Sequence, residues 1–250
     1  MIYNKILNLA NNKLKERKIV EVIIGAEMLG VVLDDGSAGV SYVLSNEVKS
    51  GCLSIPEAGQ LEGREALEIA QWFIDSKNII KSSLGLAVIN ASIDMNKISN
   101  YENKDAGLAV DINKEDIVTM VGFIKPIIDM IEDKCKKIKI YDRGKEGEGF
   151  NSSEANIDII KKSDIMYITS TSLINHTLHE IIEHAENTRE IILTGPSTPL
   201  MPEAFRDTAI TKLAGMKWLP ENNSKLLKII AQAGGMKQFA HLGEKISLQV

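Results

Sequence analysis

The chain has 250 residues, 44% of them hydrophobic, and a net charge of −5, which allows one large or two modest domains with substantial cores. Its Lys and Arg residues are interleaved with acids and form no basic stripe, which excludes nucleic acid as a main partner. Cys52 and Cys135 are isolated, excluding a disulfide framework or a CxxC metal knuckle, and the longest apolar stretch, Leu84–Ile93, falls far short of the roughly 20 residues of a membrane span.

In chain order, Met1 to Lys18 mixes apolar residues with Lys and Asn and lacks the unbroken apolar stretch of a signal peptide, so a cytoplasmic protein is expected. Tyr3–Arg17 reads as an amphipathic helix. Three β-rich pieces follow, Ile19–Ile24, Leu29–Leu33 and Gly39–Leu44, joined by short connections that include an Asp-Gly turn signal, and so predict an antiparallel meander. Arg64–Asp75 and Ile79–Ile93 read as helices, the second carrying Gly85, Ala87 and Ala91, small enough for close packing. The first half is therefore α+β. The polar stretch Asn96–Lys114 marks a boundary, dividing the chain into domains 1–114 and 115–250.

From Asp116 strands and helices alternate. Strands are expected at Ile117–Val121, Ile138–Tyr141, Ile165–Ile168, Ile191–Leu193 and Ala209–Ala214. The helices between and after them are Pro126–Lys134, Glu154–Lys161, Leu173–Ala185, Pro202–Arg206 and Asn223–Ala233, the last capped by Gly234-Gly235. This rhythm predicts an α/β domain with a mostly parallel sheet and helices on both faces. Ligands of such sheets bind outside the carboxyl ends of the strands.

Two hydroxyl-rich loops fall at such ends. Thr169-Ser170-Thr171-Ser172 holds more hydroxyls than capping the next helix requires. Gly195-Pro196-Ser197-Thr198-Pro199 places Ser197 and Thr198 on a loop stiffened by two prolines, with Gly195 free to let a ligand approach. Asn175 lies one turn into the helix after the first loop. Gly122 and Phe123 end the first strand, ahead of Pro126 at a helix start, where free N–H groups favour an anion. Only one glycine of a GxGxxG fingerprint is present. Asp142 ends the second strand, where dinucleotide-binding folds hold a ribose hydroxyl; the competing reading is an exposed Asp opening the glycine-rich loop Arg143–Gly149, itself a candidate lid. Asn90 is a lone amide in an apolar helix, either satisfied by backbone or reaching a ligand across an interdomain cleft. His176 and His179 form an i, i+3 pair on the polar face of Leu173–Ala185, able to chelate a metal but without a third ligand at fixed spacing. No GxSxG, HExxH or Walker motif occurs, so neither a hydrolase nor an NTPase is indicated.

At these residues the chain resembles the two-domain prokaryotic proteins described as "putative heavy-metal chelation". The segments that carry the resemblance are Gly-Leu-Ala-Val-Ile-Asn-Ala (85–91), Val-Gly-Phe (121–123), Thr-Ser-Thr-Ser-Leu-Ile-Asn-His-Thr (169–177), Gly-Pro-Ser-Thr-Pro-Leu (195–200) and Gly234-Gly235. It implies an N-terminal domain similar to the enolase N-terminal fold, a Rossmann-like C-terminal domain and a site in the cleft between them. The leading expectation is a small polar or anionic ligand in that cleft, held by Gly122, Phe123, Thr169, Ser170, Thr171, Asn175, Gly195, Ser197 and Thr198, with Asn90 reaching from the other domain and Asp142 selecting a hydroxyl. Three rivals stand beside it. One is a metal-handling protein using His176, His179 and a carboxylate; the second is an enzyme with an adenosyl, nicotinamide or pterin-like cofactor; the third is a purely structural protein. A homo-oligomer is left open.

Overall fold

The structure, a computed structural model, describes residues 2–48, 55–95, 98, 101–142, 154–185 and 187–250. Cys52 and the glycine-rich loop at 143–149 lie outside them. Helix α1 (Ile2–Leu14) buries Ile6, Ala10 and Leu14, one stripe at helical spacing. Strands β1 (Ile19–Ile24), β2 (Met28–Leu33) and β3 (Ala38–Tyr42) form the antiparallel meander, turning at Gly36 with φ of 80°. Helices α2 (Ala66–Asp75) and α3 (Ile79–Ala91) follow, and the Asn78 side chain caps α3 by accepting from the N–H groups of Ile80 and Lys81.

Small residues do set the close packing here. A Cβ added to Gly85 would lie 2.4 Å from the Phe73 nitrogen on α2, and one added to Gly39 would lie 1.9 Å from the Ala87 carbonyl oxygen on α3. Strand β2 is buried along its whole length because both faces of the meander are covered. Helix α3 covers one face, and a helix from the other end of the chain covers the second.

The second sheet has seven strands among the described residues. Its parallel part comprises β5 (Ile117–Val121), β6 (Lys137–Tyr141), β7 (Ile165–Thr169), β8 (Glu190–Thr194) and β9 (Lys212–Trp218). In space they run β6-β5-β7-β8-β9, after which β10 (Gly243–Gln249) and β4 (Tyr101–Glu102) continue antiparallel. Strand β4 lies inside the polar 96–114 segment, so that segment supplies an edge of this sheet. Alternation sorts the side chains: Val118, Met120, Ile165, Tyr167 and Ile192 pack with α4 (Lys125–Ile131) on one face. Val121, Met166, Ile168, Ile191 and Leu193 face the opposite side, where their core cluster runs on into Ile6, Leu14 and Phe73 of the first half.

Two expectations are corrected, and one strand lies outside them. The last parallel strand is Lys212–Trp218, not Ala209–Ala214. Thr208 turns the chain by accepting the Ile210 N–H at 3.2 Å, and β9 runs on through Lys217 and Trp218 because β10 pairs along its whole length. Strand β10 itself was not anticipated, although Ile246 and Leu248 alternate with Lys245 and Ser247. The predicted helix Leu173–Ala185 is two short helices, α6 (Thr171–Ile174) and α7 (Leu178–Ile182). His176 takes φ of 59°, with the Thr177 N–H donating to the Ser172 carbonyl at 2.9 Å. That is a Schellman ending with histidine in the left-handed position.

Helix α9 (Asn223–Ala231) ends in the same way, with Ala233 left-handed at φ of 59° and the Gly234 N–H donating to Ile229 at 2.9 Å. This is the helix on the far side of the meander: Leu226, Leu227 and Ile230 pack against Met28, Val32 and Val40. Gly30 permits the approach, since a Cβ there would meet Leu227 at 2.7 Å.

Candidate functional site

In the parallel order β6-β5-β7-β8-β9 the chain winds outward in both directions from β5 and β7, so their carboxyl ends form the topological switch point. A cleft of about 1060 Å³ opens there, at the upper end of the usual ligand-site range of ~300–1,000 Å³. Its floor is the carboxyl edge of the sheet and its roof is the segment Tyr42–Glu47, which leaves β3 of the first half.

Seven of the residues singled out in the sequence line this cleft: Gly122, Phe123, Asp142, Thr169, Thr171, Asn175 and Gly195. Gly122 has φ of 95°, and a Cβ there would lie 2.8 Å from Thr169 Cγ2; Gly195 has φ of 128°, and its Cβ would lie 2.8 Å from Ser170 Oγ. Both positions therefore require glycine on two counts, conformation and space. The Thr169 and Thr171 hydroxyls are 3.1 Å apart. Asn175 accepts from the Thr177 hydroxyl at 2.8 Å and donates to the Glu47 carboxylate at 2.9 Å, tying roof to floor.

Four others do not line it. Ser197 is fully buried: its Oγ accepts the Tyr42 N–H at 2.8 Å and the Ser41 hydroxyl at 3.2 Å. Ser83 extends this seam, donating to the Tyr42 carbonyl and lying 3.3 Å from Ser41 Oγ. Thr198 and Ser170 are buried with side-chain oxygens that have no hydrogen-bond partner among the described residues. Asn90 donates to the Val40 carbonyl at 3.2 Å, the backbone-satisfied reading of that amide. The Gly-Pro-Ser-Thr-Pro loop thus gives Gly195 and Pro196 to the cleft and spends Ser197 on holding the first half in place.

Sequence reasoning missed the roof, and also Met216, Met236 and Lys245 at the far end of the cleft. The roof carries no motif. Lys245 and Met216 became visible only once β10 and the true span of β9 were known. Among the described residues three lysines reach the cleft, and each is paired: Lys104 with Glu102 at 2.9 Å, Lys125 with Asp129, and Lys245 with Asp105.

The histidine pair is dispersed. His176 sits at the break between α6 and α7, its ring centroid 4.6 Å from that of Tyr3 and 6.0 Å from that of Phe73. Packing beside those rings partly desolvates it and lowers its pKa, although His176, like His179, is solvent-exposed. The break between α6 and α7 removes the continuous helix that made an i, i+3 chelate plausible. No group of three His, Cys, Asp or Glu among the described residues could hold a metal ion. The Cys135 thiol is pushed above its ordinary pKa by burial, which disfavours the thiolate a soft metal needs. The donors at the cleft are hydroxyls, carboxylates and thioethers, and they do not fit a thiolate- or imidazole-bound heavy metal.

No helix among the described residues is long and apolar enough to cross a membrane. An uncharacterised protein of Methanocaldococcus jannaschii is 26% identical over 258 residues, covering 100% of this chain and 96% of that protein. Two crystal structures of proteins of unknown function share the fold. One, from Pyrococcus horikoshii, has a TM-score of 0.82 and 24% identity over 100% of both chains. The other, from Desulfitobacterium hafniense, has a TM-score of 0.80 and 22% identity over 100% of this chain and 98% of that one. Two family profiles carrying the same description match residues 7–93 and 105–249, so the chain belongs to the family described as "Putative heavy-metal chelation".

Proposed function

We propose that the protein binds a small polar organic molecule in the cleft between the Tyr42–Glu47 roof and the carboxyl edge of the second sheet. The observation that carries this is the placement of two obligatory glycines, Gly122 and Gly195, at the switch point and against hydroxyl-bearing neighbours. Close backbone approach is what such glycines allow, and hydroxyls orient a ligand without charge. Because the three cleft lysines among the described residues are each paired with a carboxylate, the site suits a molecule of low net charge better than a polyanion. Direct metal chelation has no comparable support: the family description names it, but the donor set among the described residues does not.

Native mass spectrometry of untagged protein tests this. A retained organic molecule is expected, lost in Gly122→Val and in the milder Thr171→Val, with circular dichroism to show that each variant folds. Stoichiometric metal with no organic ligand would refute the reading.

A further inference from the structure

We propose that the protein forms a two-fold symmetric dimer by antiparallel pairing of β1 (Ile19–Ile24) with β1 of a second copy, so that the two meanders become one continuous sheet. This surface is separate from the cleft, which no residue of β1 lines. An unpaired strand edge offers a row of backbone donors and acceptors to any other strand, and folded proteins blunt such edges. Among the described residues three of the four sheet edges are blunted. Strand β6 carries exposed Lys137 and Lys139, and β4 is two residues long. On β3 the outward groups are taken: the Tyr42 N–H donates to Ser197, and the Val40 carbonyl accepts from Asn90.

Strand β1 is the exception. It is six residues long and lies at the edge of its sheet, paired with β2. The Gly25 N–H donates toward β2, to the Met28 carbonyl at 2.8 Å, so alternation turns the N–H and C=O groups of Val22 and Ile24 outward. These groups meet no partner among the described residues. A bulge between Ile19 and Glu21 bends the edge, but it falls at the end where Gly63 and Arg64 already bond Ile19. The side chains add apolar surface. Val20 is 52% and Ile24 40% exposed, two of the five most exposed large apolar residues among those described, and Glu21 is the strand's one charged residue.

The register identifies the occupant. In an antiparallel pair centred on Val22, each Val22 faces its counterpart and exchanges both backbone bonds with it. Val20 then faces Ile24 of the second copy, so the exposed apolar residues cover each other. Glu21 faces Ile23 rather than another Glu21, and no like charges are opposed. Lys18, just before the strand, comes opposite the turn that carries Glu27, which brings opposite charges together at both ends. A second copy thus satisfies this edge in hydrogen bonds, apolar contact and charge at once. Contact along one strand of ~17 Å belongs with weak, reversible interfaces.

Sedimentation equilibrium of the full chain from roughly 5 to 500 µM, with hydrogen exchange at both ends of that range, tests this. A monomer–dimer equilibrium with a dissociation constant on the order of 10–100 µM is expected, and the Val22 and Ile24 amides should exchange more slowly at the higher concentration. Val20→Lys combined with Ile24→Lys opposes lysines at both crossings and should weaken the dimer at least about tenfold. Val20→Lys combined with Ile24→Glu opposes unlike charges there and should restore it. Exchange in the unaltered chain keeps the test decisive if a variant misfolds. A monomer at every concentration, indifference to the lysine pair, no restoration by the Lys–Glu pair, or Val22 and Ile24 amides unaffected by concentration would each overturn the proposal. A chain that stays monomeric yet protects those amides when an alternating Thr-Val peptide is added would give the edge to a foreign strand, and self-pairing falls.

Discussion

The Tyr42 N–H donates to Ser197 Oγ at 2.8 Å, joining residues 155 positions apart in the chain. Through this bond the loop that carries the most specific motif of the sequence becomes a fastening between the two halves, and the segment it holds becomes the roof of the cleft. Ser197→Ala leaves the Tyr42 N–H without its acceptor, a loss of about 1–3 kcal/mol. At ~2–4 °C per kcal/mol for a chain of this size, differential scanning calorimetry should show a melting temperature several degrees lower.

The adjacent hydroxyl behaves oppositely. Thr198 is buried with Oγ1 unpartnered among the described residues, so Thr198→Val removes a buried polar atom while keeping the shape. Its melting temperature should equal or exceed that of the parent. A fall matching that of Ser197→Ala would show that the two hydroxyls are equivalent after all.

Packing of α3 on the meander depends on hydrogen in place of a side chain at Gly39. A Cβ would sit 1.9 Å from the Ala87 carbonyl oxygen, and backbone cannot yield as a side-chain tip can. Gly39→Ala should destabilise by at least the ~1–3 kcal/mol typical of overpacking. Urea denaturation should report it as a lower midpoint with an unchanged slope.

The meander borrows its second cover from α9, whose Leu226, Leu227 and Ile230 seal Met28, Val32 and Val40. A fragment of residues 1–95 exposes that apolar face and should self-associate and bind a hydrophobic dye more strongly than the full chain. Sedimentation velocity decides the matter: a monodisperse, dye-silent monomeric fragment would contradict the dependence on α9.

His176 predicts a pH response. Partial desolvation beside Tyr3 and Phe73 lowers its pKa in the folded state, although the residue is exposed overall, so the unfolded chain takes up the proton first. Its contribution to stability is complete above the unfolded value of ~6.5 and is lost as pH falls through that value toward the folded pKa. The carboxylates whose pKa values are lowered, such as Asp116 beside Arg189, act in a more acidic window. His176→Asn keeps a residue type that tolerates the left-handed backbone and should flatten the slope of melting temperature between pH 6.5 and 5. An unchanged slope would assign it to other groups.

Much of this architecture was legible from periodicity. The meander, helices α1, α2 and α3 of the first half, four of the five parallel strands and the position of Gly122, Asp142 and Thr169 at strand ends follow from apolar runs punctuated by Gly, Pro and Asp. The failures share a cause. The α6–α7 break is invisible to a helical wheel because its apolar positions remain in phase while His176 leaves the helix. Strand β9 was misplaced because its C-terminal half is polar and is held by β10, a partner distant from the elements used to place it.

By itself the sequence determined the two sheets, their order of appearance and the carboxyl edge on which a ligand would sit, because these depend on local patterns of two and 3.6 residues. Only the tertiary structure decided which hydroxyls face the cleft and which are spent on holding it together. Ser197 and Thr171 are the same kind of residue on the same kind of loop. What separates them is the Tyr42 N–H, a part-buried donor brought from the other half of the chain that must be satisfied.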